Sequence, residues 1–368
     1  MRQRFLAVCL ALALLAALGG CGVLNRASAP APAVVGGSGA QLPDAAPNCT
    51  ANPEVAAVLR DAIERQSDTV TVRGCPLETV EACLGELLDD PELFWCTGYH
   101  LTASTVLTTT VEITFRWLYD DGPARYAALC GAADAVLAGA PAGDYETALY
   151  LYDWLQTHVT YAEREGYDQT AYAAICEGSA VCGGIADAYT FLLTRAGIAA
   201  RTVTGTAAEG GQTTGHAWNL AVLDGAAYYF DPTWDNSDRY DALGAEYLKH
   251  DWFAVTSADF DATHTPNRPA DAVQTGANAA NYYVREGYIL TEDSNAAILA
   301  ILRAQVEQGS NVLTFRCADG AVYDAVTFRL FDLREAADIL RALGLAGRGS
   351  VTWTYSLQSA LYTVTIYV

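Results

Sequence analysis

The sequence predicts an α+β fold: a central segment built around a cysteine-bearing helix, flanked by two small α+β modules. Three observations carry this. The two ends of the chain each run helix, strand, helix and hairpin, with alternating apolar residues in the strands. Between them, an apolar helical run opens at Cys182. Two strand-like runs follow it, joined by an Asp224-Gly225 pair suited to a tight hairpin.

Residues 1–20 read as an export signal. Arg2 and Arg4 precede an unbroken apolar run, Phe5 to Leu18, which is too short for an ordinary transmembrane helix. The run ends in Leu-Gly-Gly-Cys, Leu18 to Cys21, which resembles a bacterial lipobox. That resemblance implies cleavage before Cys21, lipid attachment at Cys21, and anchorage to the outer face of the cell membrane. An ordinary secretory signal cut elsewhere is the alternative. Residues 21–48 are mostly Ala, Pro, Gly and Ser, a composition that behaves as a tether.

The N-terminal module, residues 49–135, begins with Val55, Val58, Leu59, Ala62 and Ile63 at helical spacing. A short strand, TVTVRG, and a helix over Leu77 to Leu88 follow. In TVEITFRW, Val111, Ile113, Phe115 and Trp117 share one face, with Thr110, Glu112, Thr114 and Arg116 between them. The C-terminal module, residues 285–368, shows a helix over Ala296 to Gln308, a strand NVLTFR and a helix over Leu333 to Leu343. It closes with LYTVTIYV, where Tyr362, Val364, Ile366 and Val368 alternate. The shared order makes it a possible repeat of the N-terminal module, with chance recurrence of short amphipathic patterns as the alternative.

The central segment, residues 142–270, starts with a helix for which Asp144 is the expected N-cap. Tyr145, Ala148, Leu149, Tyr152, Leu155 and Val159 form its apolar stripe. After Cys182, residues Ile185, Ala188, Tyr189, Leu192, Leu193 and Ala196 hold helical spacing, and Gly197 ends the run.

The chain has 368 residues, is 52% hydrophobic and carries a formal charge of −22. Without residues 1–20 it keeps 19 basic against 43 acidic side chains, or −24. Such a surface repels phosphate backbones and anionic headgroups, so it argues against nucleic-acid partners and against any membrane contact beyond a lipid anchor. Of ten cysteines, Cys9 lies in the signal and Cys21 at the lipobox. If Cys182 is a free thiol, Cys49, Cys75, Cys83, Cys96, Cys130, Cys176 and Cys317 form an odd set, so one more stays unpaired. No C-x-x-C or paired-histidine spacing points to zinc. The acid-rich Asp235 to Asp241 reads as solvated surface rather than a calcium loop. No cofactor is expected.

A helix N-terminus favours thiolate, so Cys182 sits where a cysteine becomes reactive. Gly183 and Gly184 leave backbone open beside the sulfur, for a substrate carbonyl and for oxyanion-binding N–H groups. His216 opens an alternating strand and Asp231 ends the next, so the hairpin brings imidazole and carboxylate side by side. Among the other histidines, His158 at a helix end and His100 in another module read as structural or surface groups. An inert buried Cys182, or a Cys176–Cys182 disulfide, is the structural alternative.

Cys182, then Gly-His-Ala-Trp at Gly215 to Trp218, then FDPTWD at Phe230 to Asp235, resembles the transglutaminase-like superfamily over roughly Asp144 to Phe260. The resemblance implies a papain-like core with the cysteine on a central helix and the His and Asp on adjacent antiparallel strands. It implies Cys182 as nucleophile, His216 as general base and acid, and Asp231 as the residue orienting His216. Gly183 departs from bacterial relatives, which often have an acidic residue there. Trp218 and Trp234 are expected to pack around the hairpin, or else to line the acyl cleft. The implied activity is that of a cell-surface thiol enzyme cleaving or transferring acyl groups at amide bonds of a protein or peptide, by hydrolysis or cross-linking. A non-catalytic surface module binding cell-wall or protein ligands is the alternative.

Overall fold

The computed structural model of the protein describes residues 52–88, 90–105, 108–164, 166–236, 247–345 and 353–368. The expected export signal, the tether, Cys21, Cys49 and residues 237–241 of the acidic stretch lie outside these. Among the described residues, no helix is long and apolar enough to cross a membrane.

Helix α1 (Pro53–Glu64) is started by Asn52, whose Oδ1 accepts from the N–H groups of Glu54 and Val55 at 3.2 Å. Strand β1 (Thr69–Arg73), helix α2 (Leu77–Leu88) and the hairpin of β2 (Cys96–Thr105) and β3 (Thr109–Trp117) follow. The sheet order is β1-β3-β2, all antiparallel. In β3, Val111, Ile113 and Phe115 are buried while Glu112, Thr114 and Arg116 are exposed, the expected alternation.

The central segment, with a helix from before residue 142 and another from after residue 270 packed onto it, is a layer of helices against a sheet. Its first half is α3 (Gly122–Leu137), α4 (Asp144–His158), β4 (Thr160–Tyr161), α5 (Ala171–Glu177), β5 (Ser179–Ala180) and α6 (Cys182–Arg195). Its second half is β6 (Ala200–Glu209), β7 (Gln212–Leu223), β8 (Ala226–Phe230), α7 (Pro232–Asn236), α8 (Ser257–Phe260), β9 (His264–Pro266) and α9 (Tyr282–Arg285). The four-stranded sheet runs β8-β7-β6-β9, antiparallel throughout. Every residue of α6 from Gly184 to Leu193 is buried, so this helix lies inside the domain and α4, α5 and the sheet close around it. Asp144 is not the cap of α4: Gly143, at φ +106°, holds that position without a side-chain bond. Asp144 is the first helical residue, where its charge favours the helix start instead.

The C-terminal segment comprises β10 (Ile289–Leu290), α10 (Asn295–Glu307), β11 (Val312–Cys317), α11 (Gly320–Thr327), α12 (Ala336–Ala342), β12 (Thr354–Gln358) and β13 (Thr363–Tyr367). Its sheet order is β10-β11-β13-β12. The β11-β13-β12 part has the same order and antiparallel pairing as β1-β3-β2. The sequence predicts one helix over Leu333 to Leu343; the chain instead forms α11, a π-helical turn at Phe328–Asp332, and the shorter α12. Nor does β13 alternate. All five of its residues are buried, because the central segment covers its second face, with Tyr247 against Tyr367 at 4.2 Å between ring centroids.

One core runs without a break from Val55 and Leu59 of α1 through Leu155 of α4 to Leu193 of α6, so the N-terminal segment and the central helices share an interior. The C-terminal segment has its own core. A third cluster joins Trp218, Tyr229, Trp252, Phe260 and Leu361 beside the β6–β9 sheet.

Candidate active site

Cys182 is the first residue of α6. Val181 precedes it in extended backbone (φ −103°, ψ −173°) and supplies no side-chain cap. The first-turn N–H groups have no carbonyl one turn back to bind, and the positive end of the helix dipole lies at the sulfur. Two close approaches set this position. A Cβ on Gly184 would lie 2.5 Å from the Asp168 carbonyl oxygen, 2.8 Å from Ala180 Cβ and 3.0 Å from Thr170 N. Only glycine lets α6 start so close to the 168–170 backbone. At Gly183 a Cβ would meet Gln169 Oε1 at 2.3 Å, so the Gln169 amide stands where a side chain at 183 would begin.

A buried polar seam fixes α6 on the sheet. Asn219 Nδ2 donates to the Ala186 carbonyl at 2.7 Å and to Thr190 Oγ1 at 2.9 Å. The Thr190 and Thr202 hydroxyls are 3.0 Å apart, and Thr202 Oγ1 donates to Asp187 Oδ1 at 3.0 Å. The donors of that chain are all paired, while the Asn219 Oδ1 acceptor has no partner among the described residues. None of these residues was singled out from the sequence, where they look like ordinary helix and strand polar positions.

The hairpin of β7 and β8 turns at Asp224 (φ +49°) and Gly225 (φ +85°), both left-handed as a two-residue turn requires. Register Asn219↔Phe230 through Leu223↔Ala226 then sets His216 within β7 and Asp231 just past the end of β8. His216 Nε2 and Asp231 Oδ2 are 2.7 Å apart. Asp231 Oδ1 accepts from the N–H groups of Thr233 (3.0 Å) and Trp234 (3.1 Å) at the start of α7. Cys182 is close enough to His216 to raise the pKa of the imidazole. With Nε2 committed to Asp231, Nδ1 is the ring nitrogen left for the thiol.

A fourth residue joins them. His264 Nε2 is 3.2 Å from the same Asp231 Oδ2. His216 Nε2, Asp231 and His264 offer three ligand atoms within 4.8 Å of one another, a grouping that could hold a metal ion. Their separations of 2.7 and 3.2 Å are hydrogen-bond lengths. His264 was passed over in the sequence because it lies in no alternating run.

Burial opposes charge on His216, but the Asp231 carboxylate, the bond to it and the nearby Cys182 outweigh burial and raise its pKa from 6.5 to about 10. Burial pushes Asp231 upward, yet the charge and hydrogen bond of His216, helped by His264, hold it far below the ordinary carboxylate range. His264 moves the other way: burial, with the His216 charge adding to it, lowers its pKa and keeps the ring neutral.

Trp218 is 1% exposed and packs on Phe260 and His264 rather than opening to solvent. Trp234 is partly buried, its ring 5.6 Å from that of His216 and 4.5 Å from that of His264. Cys176 and Cys182 are both free thiols, as are the other five described cysteines. His158 is exposed and stacks on Trp154 at 4.5 Å, and His100 is exposed on β2. Asp235 corrects the solvated-surface expectation: it is 1% exposed and accepts from the Tyr152 hydroxyl (2.7 Å) and Trp252 N (3.0 Å).

Residues 132–232 match the model of the Transglutaminase-like superfamily. The chain therefore carries a transglutaminase-like domain, within an α+β fold with a papain-like core, and the match supports an enzyme of that class. No curated protein matches the chain. The solved structures similar to the chain include the following three. A TGase is 14% identical with a TM-score of 0.27, covering 42% of this chain and 47% of that one. A candidate cysteine protease from Cytophaga hutchinsonii is 16% identical with a TM-score of 0.26, covering 45% and 65%. A candidate protease from Parabacteroides distasonis is 10% identical with a TM-score of 0.22, covering 45% and 37%. The chain thus spans about half the length of the first of these.

Proposed function

We propose that the protein is a thiol enzyme that cleaves or transfers acyl groups at amide bonds of a protein or peptide, with Cys182 as nucleophile, His216 as acid and base, and Asp231 orienting His216. The observation that carries this is the pair His216 and Asp231, with His216 Nε2 2.7 Å from a fully buried Asp231, and Cys182 at the start of α6 close enough to raise the His216 pKa. In the first half-reaction the Cys182 thiolate attacks the amide carbonyl carbon. The carbonyl oxygen takes up the negative charge and faces the first-turn N–H groups of α6. His216 then gives its proton to the departing amine as the C–N bond breaks, leaving a thioester on Cys182. Water or a second amine attacks the thioester, His216 takes the incoming proton, and the C–S bond breaks to return the thiolate. Water gives hydrolysis, an amine gives cross-linking.

We place this activity outside the cell. The signal-like residues 1–20 and Cys21 support an exported lipoprotein at the outer face of the membrane, with residues 49–135, 142–270 and 285–368 as its three folded parts. The test is a panel of glutamine- and peptide-amide substrates, with and without a primary amine, on wild type and Cys182→Ala. Turnover that survives in the variant refutes the nucleophile. Binding of peptide or cell-wall material without turnover by either protein supports the non-catalytic module.

A further inference from the structure

With the triad proposed above as its premise, we infer that His264 is a positioning residue of the site: it donates its Nε2–H to Asp231 Oδ2, the oxygen that His216 also holds, and fixes the carboxylate that orients the catalytic imidazole. Four observations converge on this. The distance is 3.2 Å, and both side chains are fully buried. The other ring nitrogen, Nδ1, lies 2.8 Å from the Thr263 hydroxyl, whose oxygen is in turn 3.4 Å from the Phe260 carbonyl oxygen. A neutral ring has one N–H, and a carboxylate at Nε2 can only accept, so Asp231 places that N–H on Nε2.

The third observation is the enclosure. The His264 ring stacks on Phe260 at 3.8 Å and meets Trp234, Trp218 and Trp252 at 4.5, 5.0 and 5.1 Å between centroids. Water has little access to the Asp231–His264 contact, so the bond there is stronger than an exposed one. The fourth is how His264 reaches the site. Strand β9 pairs with β6 as Gly205↔Pro266 and Ala207↔His264, while Gly205 faces His216 across the β6–β7 pair. A Cβ on Gly205 would lie 2.2 Å from the Thr265 carbonyl oxygen and 2.4 Å from Trp218 Cη2. The bare backbone at 205 is what lets β9 close on the sheet.

Asp231 Oδ2 thus receives two imidazole N–H groups and Oδ1 two backbone N–H groups. With all four in place the carboxylate has one orientation. Without His264, Oδ2 can swing from the line to His216.

The experiment uses the full chain. Nitrogen-15 NMR of the histidine rings is expected to show His264 as the neutral Nε2–H tautomer between pH 6 and 9; an Nδ1–H tautomer overturns the assignment without any variant. His264→Phe keeps an aromatic ring in the enclosure and removes the donor, while His264→Gln keeps an N–H donor. Alkylation of Cys182 at pH 7 is expected to slow about tenfold in His264→Phe, the scale of one lost bond to a charged group, with its alkaline limb moved to lower pH. The Gln variant is expected to recover part of both. A wild-type rate and pH profile in folded His264→Phe overturns the role. Failure of the premise shows separately, in wild type, as Cys182 labelled no faster than Cys176.

Discussion

The Gly184 Cα lies so close to the Asp168 carbonyl that no side chain fits between them: a Cβ would sit 2.5 Å from that oxygen. The obstruction is backbone, which cannot rotate away as a flexible side chain does. Gly184→Ala is therefore expected to destabilise the fold by about 2 kcal/mol or more and to displace the start of α6. Chemical denaturation and the Cys182 alkylation rate measure both. A stable variant with unchanged reactivity would show that α6 is not held by this contact.

Among the described cysteines, three are poor thiolate formers. Burial raises Cys96 to about 11 and Cys317 to about 12, and desolvation with the neighbouring Glu177 raises Cys176 to about 11. At pH 7 Cys96 and Cys176 are about one part in 10⁴ thiolate and Cys317 about one part in 10⁵. Cys182, beside a cationic imidazole, is expected to react with limiting iodoacetamide about 100-fold faster than any of them. Mass-spectrometric mapping of the label decides it, and preferential labelling of Cys176 goes against the site.

The pH dependence follows from the signs of the shifts. His216 is raised, so its pairing stabilises fully below 6.5 and is lost as pH rises through about 10. Asp231 is lowered, so its contribution is present above its ordinary 3.8 and is lost only in stronger acid. The His216–Asp231 pair therefore stays charged across neutral pH, and turnover should hold a plateau there. Asp231→Asn removes the charge that supports the imidazolium and is expected to reduce turnover by about 10²–10⁴-fold. An Asn variant with the wild-type plateau would remove Asp231 from the mechanism.

Asp235 shows the opposite sign. Burial and the charge of Asp251 raise it to about 7, so its contribution is greatest below 3.8 and is lost as pH rises through about 7. Asp235→Asn keeps the shape and an acceptor for Trp252 N, and cannot ionise. Its stability relative to wild type is expected to improve between pH 5 and pH 8, by roughly 1–3 kcal/mol. Thermal melts at the two pH values test this; an equal shift at both refutes it.

His216 and Asp231 were legible because the Asp224-Gly225 turn fixes the register that brings them together, and Cys182 because its helix start is written in the apolar spacing after it. His264 was not, because β9 has three residues and no alternation, and only its non-local pairing with β6 brings it to the site. Asp235 was misjudged for a different reason. A run of acidic residues reads as solvated surface, and only the fold shows that its first member points inward to Tyr152 and Trp252. The same limit applies to β13, whose alternation is real in sequence but whose outer face is covered by the central segment.

The stretch that matches the family ends at residue 232, yet the Asp231 carboxylate is completed by chain that comes later. The Asp231 N–H is held by the Trp252 carbonyl at 3.1 Å, and its Oδ2 by His264. A protein trimmed to the matched stretch would keep Cys182, His216 and Asp231 and still lack the enclosure that dries and aligns them. Activity transplanted or minimised from this chain must therefore carry β9 with it, and by the shared core must carry α1 and α2 as well.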